Sequence, residues 1–159
     1  MALSVVIIDH EPLMAAQLKK CLLAVDPDIT VAAICYEGEQ AAACLHEYKP
    51  DLVFLTIEMP RIGGLAIAKA IQGMEGDRPD IVFVTGQRDF VSHTLRLTAL
   101  DYLVKPVTEG EVAQAVRKFR ALHIKKNLLR EKILWRIRRL MTGRFLFRRG
   151  GFPSMRERR

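Results

Sequence analysis

The sequence predicts an α/β domain built on a doubly wound parallel sheet, and three observations carry that expectation. Short apolar runs alternate with longer helical patterns across roughly the first 120 of the 159 residues. Three of those runs are apolar throughout, as parallel strands covered on both faces are. Polar residues able to do chemistry recur directly after the runs, where such a sheet presents its ligand-binding edge.

Taken in order, the expected strands are Val5–Ile8, Val31–Ile34, Leu52–Leu55, Ile81–Val84 and Tyr102–Val104. The first expected helix runs from Pro12 to Val25, where proline suits a first helical turn because its missing N–H would be unsatisfied there anyway. Further helices are expected over about Gly38–Glu47, Gly64–Met74 and Phe90–Leu100. The last opens on Thr108-Glu109-Gly110-Glu111, a capping box in which Thr108 and Glu111 satisfy each other's orphan amides.

Composition narrows the class. Half the residues are apolar and about a quarter charged, which is ordinary for a folded domain. The N-terminus opens straight into an apolar strand without a basic leader, and no apolar run reaches the ~18 residues needed to cross a bilayer. A soluble cytoplasmic protein is the expectation. The three cysteines, Cys21, Cys35 and Cys44, show no CxxC spacing and sit in apolar stretches, so buried free thiols are expected.

The net charge of +7 divides unevenly. Residues 1–110 carry −6 and residues 111–159 carry +13, so an acidic globule precedes a strongly basic tail.

The residues after the strands supply the candidate site: Asp9, His10 and Glu11 after the first, Thr56 through Glu58 after the third, Thr85 after the fourth, and Lys105 after the fifth. Four motifs now carry a likeness. Ile7-Ile8-Asp9-His10-Glu11-Pro12-Leu13, Pro50 through Pro60, Val82-Phe83-Val84-Thr85 and Ala99 through Pro106 stand in the order and spacing of bacterial two-component receivers. The chain therefore resembles the receiver domain of response regulators, most of all those that precede LytTR-family DNA-binding domains.

That resemblance implies a flavodoxin-like strand order 2-1-3-4-5, a receiver domain over 1–123, and a basic, partly helical or disordered tail over 124–159. It also implies roles. In the family, two acids after the first strand help hold Mg²⁺ and an aspartate ending the third strand is phosphorylated. A Thr/Ser and a Lys contact the phosphoryl oxygens, and an aromatic on the fifth strand changes rotamer with state. Carried over, Asp9 keeps the first acid, Thr85 the hydroxyl, Lys105 the cation and Tyr102 the aromatic. His10 replaces the second acid, Thr56 stands at the phosphoacceptor position, and Glu58 completes the expected acidic pocket.

The two departures have chemical consequences. Mg²⁺ wants hard oxygen ligands, and imidazole suits transition metals better, so no cofactor and weak or absent Mg²⁺ binding are expected. A threonine hydroxyl is a weak nucleophile without an adjacent base. Lys105 is left to pair with Asp9. Either the pocket is vestigial and locked in one state, or His10 makes it a proton or metal sensor.

In the tail, heptads from Val112 give an apolar seam through Phe119, Leu122, Leu129, Ile133 and Leu140, broken at Lys126 and Arg136, over a helix reaching about Met141. Arg130, Lys132, Arg136, Arg138 and Arg139 mark its basic character. Three readings stay open: a solvated remnant, phosphate contact with nucleic acid, or docking on an anionic membrane or in a partner's groove. No nucleophile–base pair points to an enzyme. The expected function is a phosphorylation-independent pseudo-receiver in a two-component type system, docking on a protein partner or self-associating through the fourth and fifth predicted helices and fifth strand. The alternative is a DNA-binding transcriptional regulator, or its truncated remnant, acting through the basic tail.

Overall fold

In the computed structural model, residues 2–88 and 98–149 are described, with side chains through residue 142. Five strands form one parallel sheet in the order β2-β1-β3-β4-β5. They are β1 (Leu3–Ile8), β2 (Ile29–Cys35), β3 (Leu52–Thr56), β4 (Asp80–Thr85) and β5 (Asp101–Val104). The described helices are α1 (Pro12–Val25), α2 (Ala41–Tyr48), α3 (Gly64–Gln72) and α4 (Glu109–Arg149). Each strand begins one or two residues earlier than its apolar run or at the same residue, because ladder pairing extends into polar positions that apolarity alone does not mark.

The apolar strands are explained by two separate cores, one on each face of the sheet. Leu3, Val5 and Ile7 of β1 join Phe54, Val82 and Leu103 against Leu18 and Leu22 of α1 and Val112, Ala115, Val116 and Phe119 of α4. Val6 and Ile8, the alternate residues, join Val53, Leu55 and Phe83 against Leu45 of α2 and Ile67 and Ile71 of α3. Successive side chains point to opposite faces, so a strand buried twice must be apolar at every position.

Local signals act as their chemistry dictates. Glu111 N–H donates to the Thr108 hydroxyl and Thr108 N–H to the Glu111 carboxylate, both at 3.3 Å. The helix expected from Gly38 is instead a single 3-10 turn over Gly38–Gln40 followed by α2. A Cβ at Gly38 would lie 2.6 Å from the Ile62 carbonyl, so that turn is pinned against a neighbouring loop. Gly64 is held more tightly still: a Cβ there would sit 2.1 Å from the Thr56 carbonyl oxygen, which lets α3 start directly against the end of β3. The helix expected over Phe90–Leu100 falls almost wholly outside the described residues, as does the tail from 150 to 159.

The expectation of three free thiols is corrected. Cys35 at the end of β2 and Cys44 on α2 form a disulfide, and Cys21 is the free, buried cysteine. The crossover from β2 folds α2 back over the second face of the sheet, which sets two cysteines nine residues apart beside each other; no local spacing announces this. Burial pushes the Cys21 thiol pKa up, with Glu109 adding to the effect.

The chain divides into two compact units, Met1–Phe119 and Arg120–Arg159. In the second, every described side chain from Ile124 to Thr142 is exposed. No helix among the described residues is long and apolar enough to cross a membrane.

Candidate functional site

The register of the sheet lines up its carboxyl edge. Ile8 pairs with Leu55, Thr56 with Val84, and Thr85 with Val104, so the next positions along β1 and β5 are Asp9 and Lys105. Backbone bonds continue past the ladder: Asp9 N–H donates to the Cys35 carbonyl at 3.0 Å, Ile57 N–H to Val84 at 3.0 Å, and Lys105 N–H to Thr85 at 2.8 Å. Among the described residues, the buried polar ones are Asp9, Thr56 and Thr85, all on this edge. Buried polar groups cost free energy unless paired, so their partners say what the edge is built to do.

Asp9 is paired with Lys105. The ammonium lies 2.9 Å from the Asp9 carboxylate and 2.9 Å from that of Glu11, with only a tenth of the lysine side chain exposed. Asp9 also accepts the Glu11 N–H at 2.9 Å. The hydrogen bond and charge of Lys105 hold the Glu11 carboxyl below its ordinary value. One cation thus bridges two acids at the mouth of the pocket.

Thr85 is paired elsewhere. Its hydroxyl donates to the Glu58 carboxylate at 2.5 Å, and the same oxygen accepts the Gly86 N–H at 3.2 Å. The Thr85 oxygen itself accepts the Gln87 N–H at 3.0 Å. Glu58, expected in the acidic pocket with Asp9 and His10, gives its carboxylate to Thr85 and Gly86. The tight turn closed by Met59 N–H on the Ile57 carbonyl places its carboxylate at the end of β4. The acid that joins Asp9 is Glu11, which the sequence reading placed on the rim without a role. Its signal was present: the run Asp9-His10-Glu11 offers a second carboxylate one residue later than the family's.

His10 lies beside Asp9, its Nδ1 3.9 Å from the carboxylate, and that nitrogen is buried with no hydrogen-bond partner among the described residues. Donor atoms of Asp9, His10 and Glu11 fall within 4.8 Å of one another. On β5, the Tyr102 ring stacks on Phe83 at 5.6 Å between centroids and packs against the second-face core. Asp101 beside it takes Lys118 of α4 at 2.9 Å.

The basic residues form a separate feature of the second unit. Arg130, Lys132, Arg136, Arg138 and Arg139 are all exposed on α4, and the Arg139 guanidinium lies 5.2 Å from the Trp135 ring.

With this geometry in hand, known proteins place the chain. Residues 5–117 match the family model described as response regulator receiver domain. Transcriptional regulatory protein BtsR of Salmonella typhi is 32% identical over 126 residues, covering 79% of this chain and 52% of that protein. The positive alginate biosynthesis regulatory protein of Pseudomonas aeruginosa is 32% identical over 116 residues, covering 73% of this chain and 46% of that one. The chain thus spans about half the length of the curated relatives it matches. In fold it is similar to the response regulatory domain of protein mrkE from Klebsiella pneumoniae, with a TM-score of 0.68 and 24% identity over 75% of this chain and 96% of that one. It is similar also to the REC domain of AraT from Geobacillus stearothermophilus, with a TM-score of 0.70 and 20% identity over 79% and 99%.

Proposed function

The chain belongs to the response regulator receiver family, and from that premise we propose that it is a signalling module that works without accepting a phosphoryl group. One observation supports this above others. The groups that meet phosphoryl oxygens in the family, the Thr85 hydroxyl and the Lys105 ammonium, are here engaged by the chain's own carboxylates. Glu58 takes the first; Asp9 and Glu11 take the second.

The nucleophile points the same way. Thr56 is buried at the end of β3 and offers a neutral hydroxyl where the family has a carboxylate. Phosphorylating it would give a stable ester in place of a labile acyl phosphate.

The donor set does not fit Mg²⁺. Asp9 is ion-paired to Lys105, His10 offers a nitrogen, and Thr56 brings no charge. A hard cation that keeps near-octahedral oxygen coordination finds one engaged carboxylate and the half-exposed Glu11. No step of the proposed function runs through a metal.

A receiver whose pocket is closed by internal ion pairs holds one state of its switch surface. Tyr102, packed on Phe83, lies on the edge strand β5 beside the start of α4, and this face is the proposed docking surface for a protein partner.

Intact mass after incubation with acetyl phosphate and Mg²⁺ tests the reading. The mass of the unmodified protein is expected to stay constant. Thr56→Asp alone regains little phosphorylation, because His10 still denies the metal an oxygen ligand and Lys105 remains held. His10→Asp with Thr56→Asp regains more. A phosphoryl group gained by the unmodified protein, on Thr56, Asp9 or Glu58, overturns the proposal.

A further inference from the structure

The helix beyond Phe119 presents a surface that the receiver reading leaves unused. From Ile124 to Thr142 every side chain is exposed, and nine of these are large and apolar, with Trp135 60% and Leu140 70% accessible. Between them stand Lys125, Lys126, Arg130, Lys132, Arg136, Arg138 and Arg139, against one acid, Glu131. We propose that this helix docks on the headgroup region of an anionic bilayer, lying along the surface.

Charge and apolarity together select that occupant. A second copy would cover the seam of Leu129, Ile133 and Leu140 but would set two strongly cationic helices side by side, at a repulsive cost. Nucleic acid would satisfy the cations through its phosphates and leave most of the apolar side chains in water. An anionic bilayer answers both needs on one face: lipid phosphates meet the guanidinium and ammonium groups, and the acyl boundary takes up Leu129, Ile133, Ile137 and Leu140.

The details agree with an interfacial position. At 100° per residue, Leu122, Leu129, Ile133, Ile137 and Leu140 fall within one arc of about 80°. Long Lys and Arg stems beside that arc can bury their methylenes while their charges reach the headgroups. Trp135, with Arg139 against its ring, lies about 160° from the centre of that arc, on the face turned to water. The helix lies on such a surface and does not span it, since it carries too many charges to cross.

Trp135, the chain's single tryptophan, faces away from that arc, so docking is read from the emission of a full chain carrying Trp135→Phe with Leu140→Trp, which places the tryptophan within it. The full chain is titrated with vesicles of phosphatidylcholine alone, with vesicles also containing phosphatidylglycerol, and with duplex DNA. Emission is expected to move to shorter wavelength only with the anionic vesicles. Lys132→Gln with Arg136→Gln and Arg139→Gln should weaken that binding about a hundred-fold, three cations being removed from the surface. Leu129→Ser with Ile133→Ser should weaken it too, although no charge changes.

A response to DNA and none to vesicles overturns the proposal in favour of phosphate contact with nucleic acid. Full vesicle affinity in the serine variant overturns it as well, because adsorption would then be purely electrostatic. Emission already at short wavelength in buffer, with concentration-dependent sedimentation, would assign the face to a second copy and also overturn it. The Asp9 pocket takes no part in this docking, so the vesicle titration and the acetyl phosphate assay fail independently.

Discussion

Replacing Lys105 with methionine removes the cation that bridges Asp9 and Glu11 while keeping a side chain of similar length. The Asp9 carboxylate is 3% exposed and loses its 2.9 Å ion pair, keeping the Glu11 N–H as a partner. Removing one member of a buried pair costs about 3–5 kcal/mol. The Glu11 N–H bonds the carboxylate before and after the change, so it cancels in the difference. Glu11 is half exposed, and losing its share of the lysine costs under about 1 kcal/mol. The expected loss is therefore about 3–5 kcal/mol at neutral pH.

The sign of the pH dependence follows from Lys105 holding the Glu11 pKa below its ordinary value of 4.5. A lowered carboxyl contributes stability that is present in full above the ordinary value and fades as pH falls through the lowered one. The gap between the unmodified protein and Lys105→Met should be widest at neutral pH and narrow in acid. Urea unfolding followed by far-ultraviolet circular dichroism at several pH values measures it, with a midpoint shift of about 1–3 M for a typical slope. Tryptophan emission is the wrong probe, because Trp135 lies in the second unit. A loss below about 1 kcal/mol at neutral pH, or a gap equally wide in acid, would refute the assignment of Lys105 as the bridge. Asp9→Asn should recover much of the stability in the Lys105→Met background, since no buried charge is then left alone.

Gly64→Ala should destabilise the first unit by about 2–4 kcal/mol in the same assay, because its methyl would meet the Thr56 carbonyl at 2.1 Å and a backbone atom cannot swing aside. Thr108→Ala should cost about 1 kcal/mol by opening the capping box with Glu111, and Glu111→Ala should cost a similar amount. In thiol labelling without reductant, the folded protein should react slowly and one thiol should appear on unfolding, since Cys21 is buried with a raised pKa and Cys35 and Cys44 are joined; three thiols on unfolding would contradict the pairing.

Much of this molecule is legible from its residues, and what is hidden has a physical pattern. The strands announce themselves because burial on both faces leaves no polar position in Leu52-Val53-Phe54-Leu55 or Ile81-Val82-Phe83-Val84. Pro12 and Thr108 mark helix starts because their backbone chemistry is local. The Asp9–Lys105 pair is legible once the sheet order is known, because both stand at strand ends that the order brings to one edge. Glu58 is not, because where its carboxylate goes depends on a turn at Ile57–Met59 that several sequences would form differently. The partnership of Glu11 with Lys105 spans 94 positions and rests on side-chain reach. Cys35 and Cys44 meet through the path of a crossover, and no spacing rule encodes that.

The central claim is that Glu58, Asp9 and Glu11 already occupy the groups a phosphoryl would use. The most direct measurement follows the backbone amides of Thr85, Gly86 and Lys105 by two-dimensional NMR during titration with beryllofluoride and Mg²⁺, which together mimic an aspartyl phosphate. The account predicts that these resonances stay where they are at all concentrations. It also predicts that Glu58→Gln alone shifts the Gly86 amide, because its acceptor loses charge. Saturable movement of the three amides in the unmodified protein would show a pocket open to a phosphoryl group and would contradict the claim.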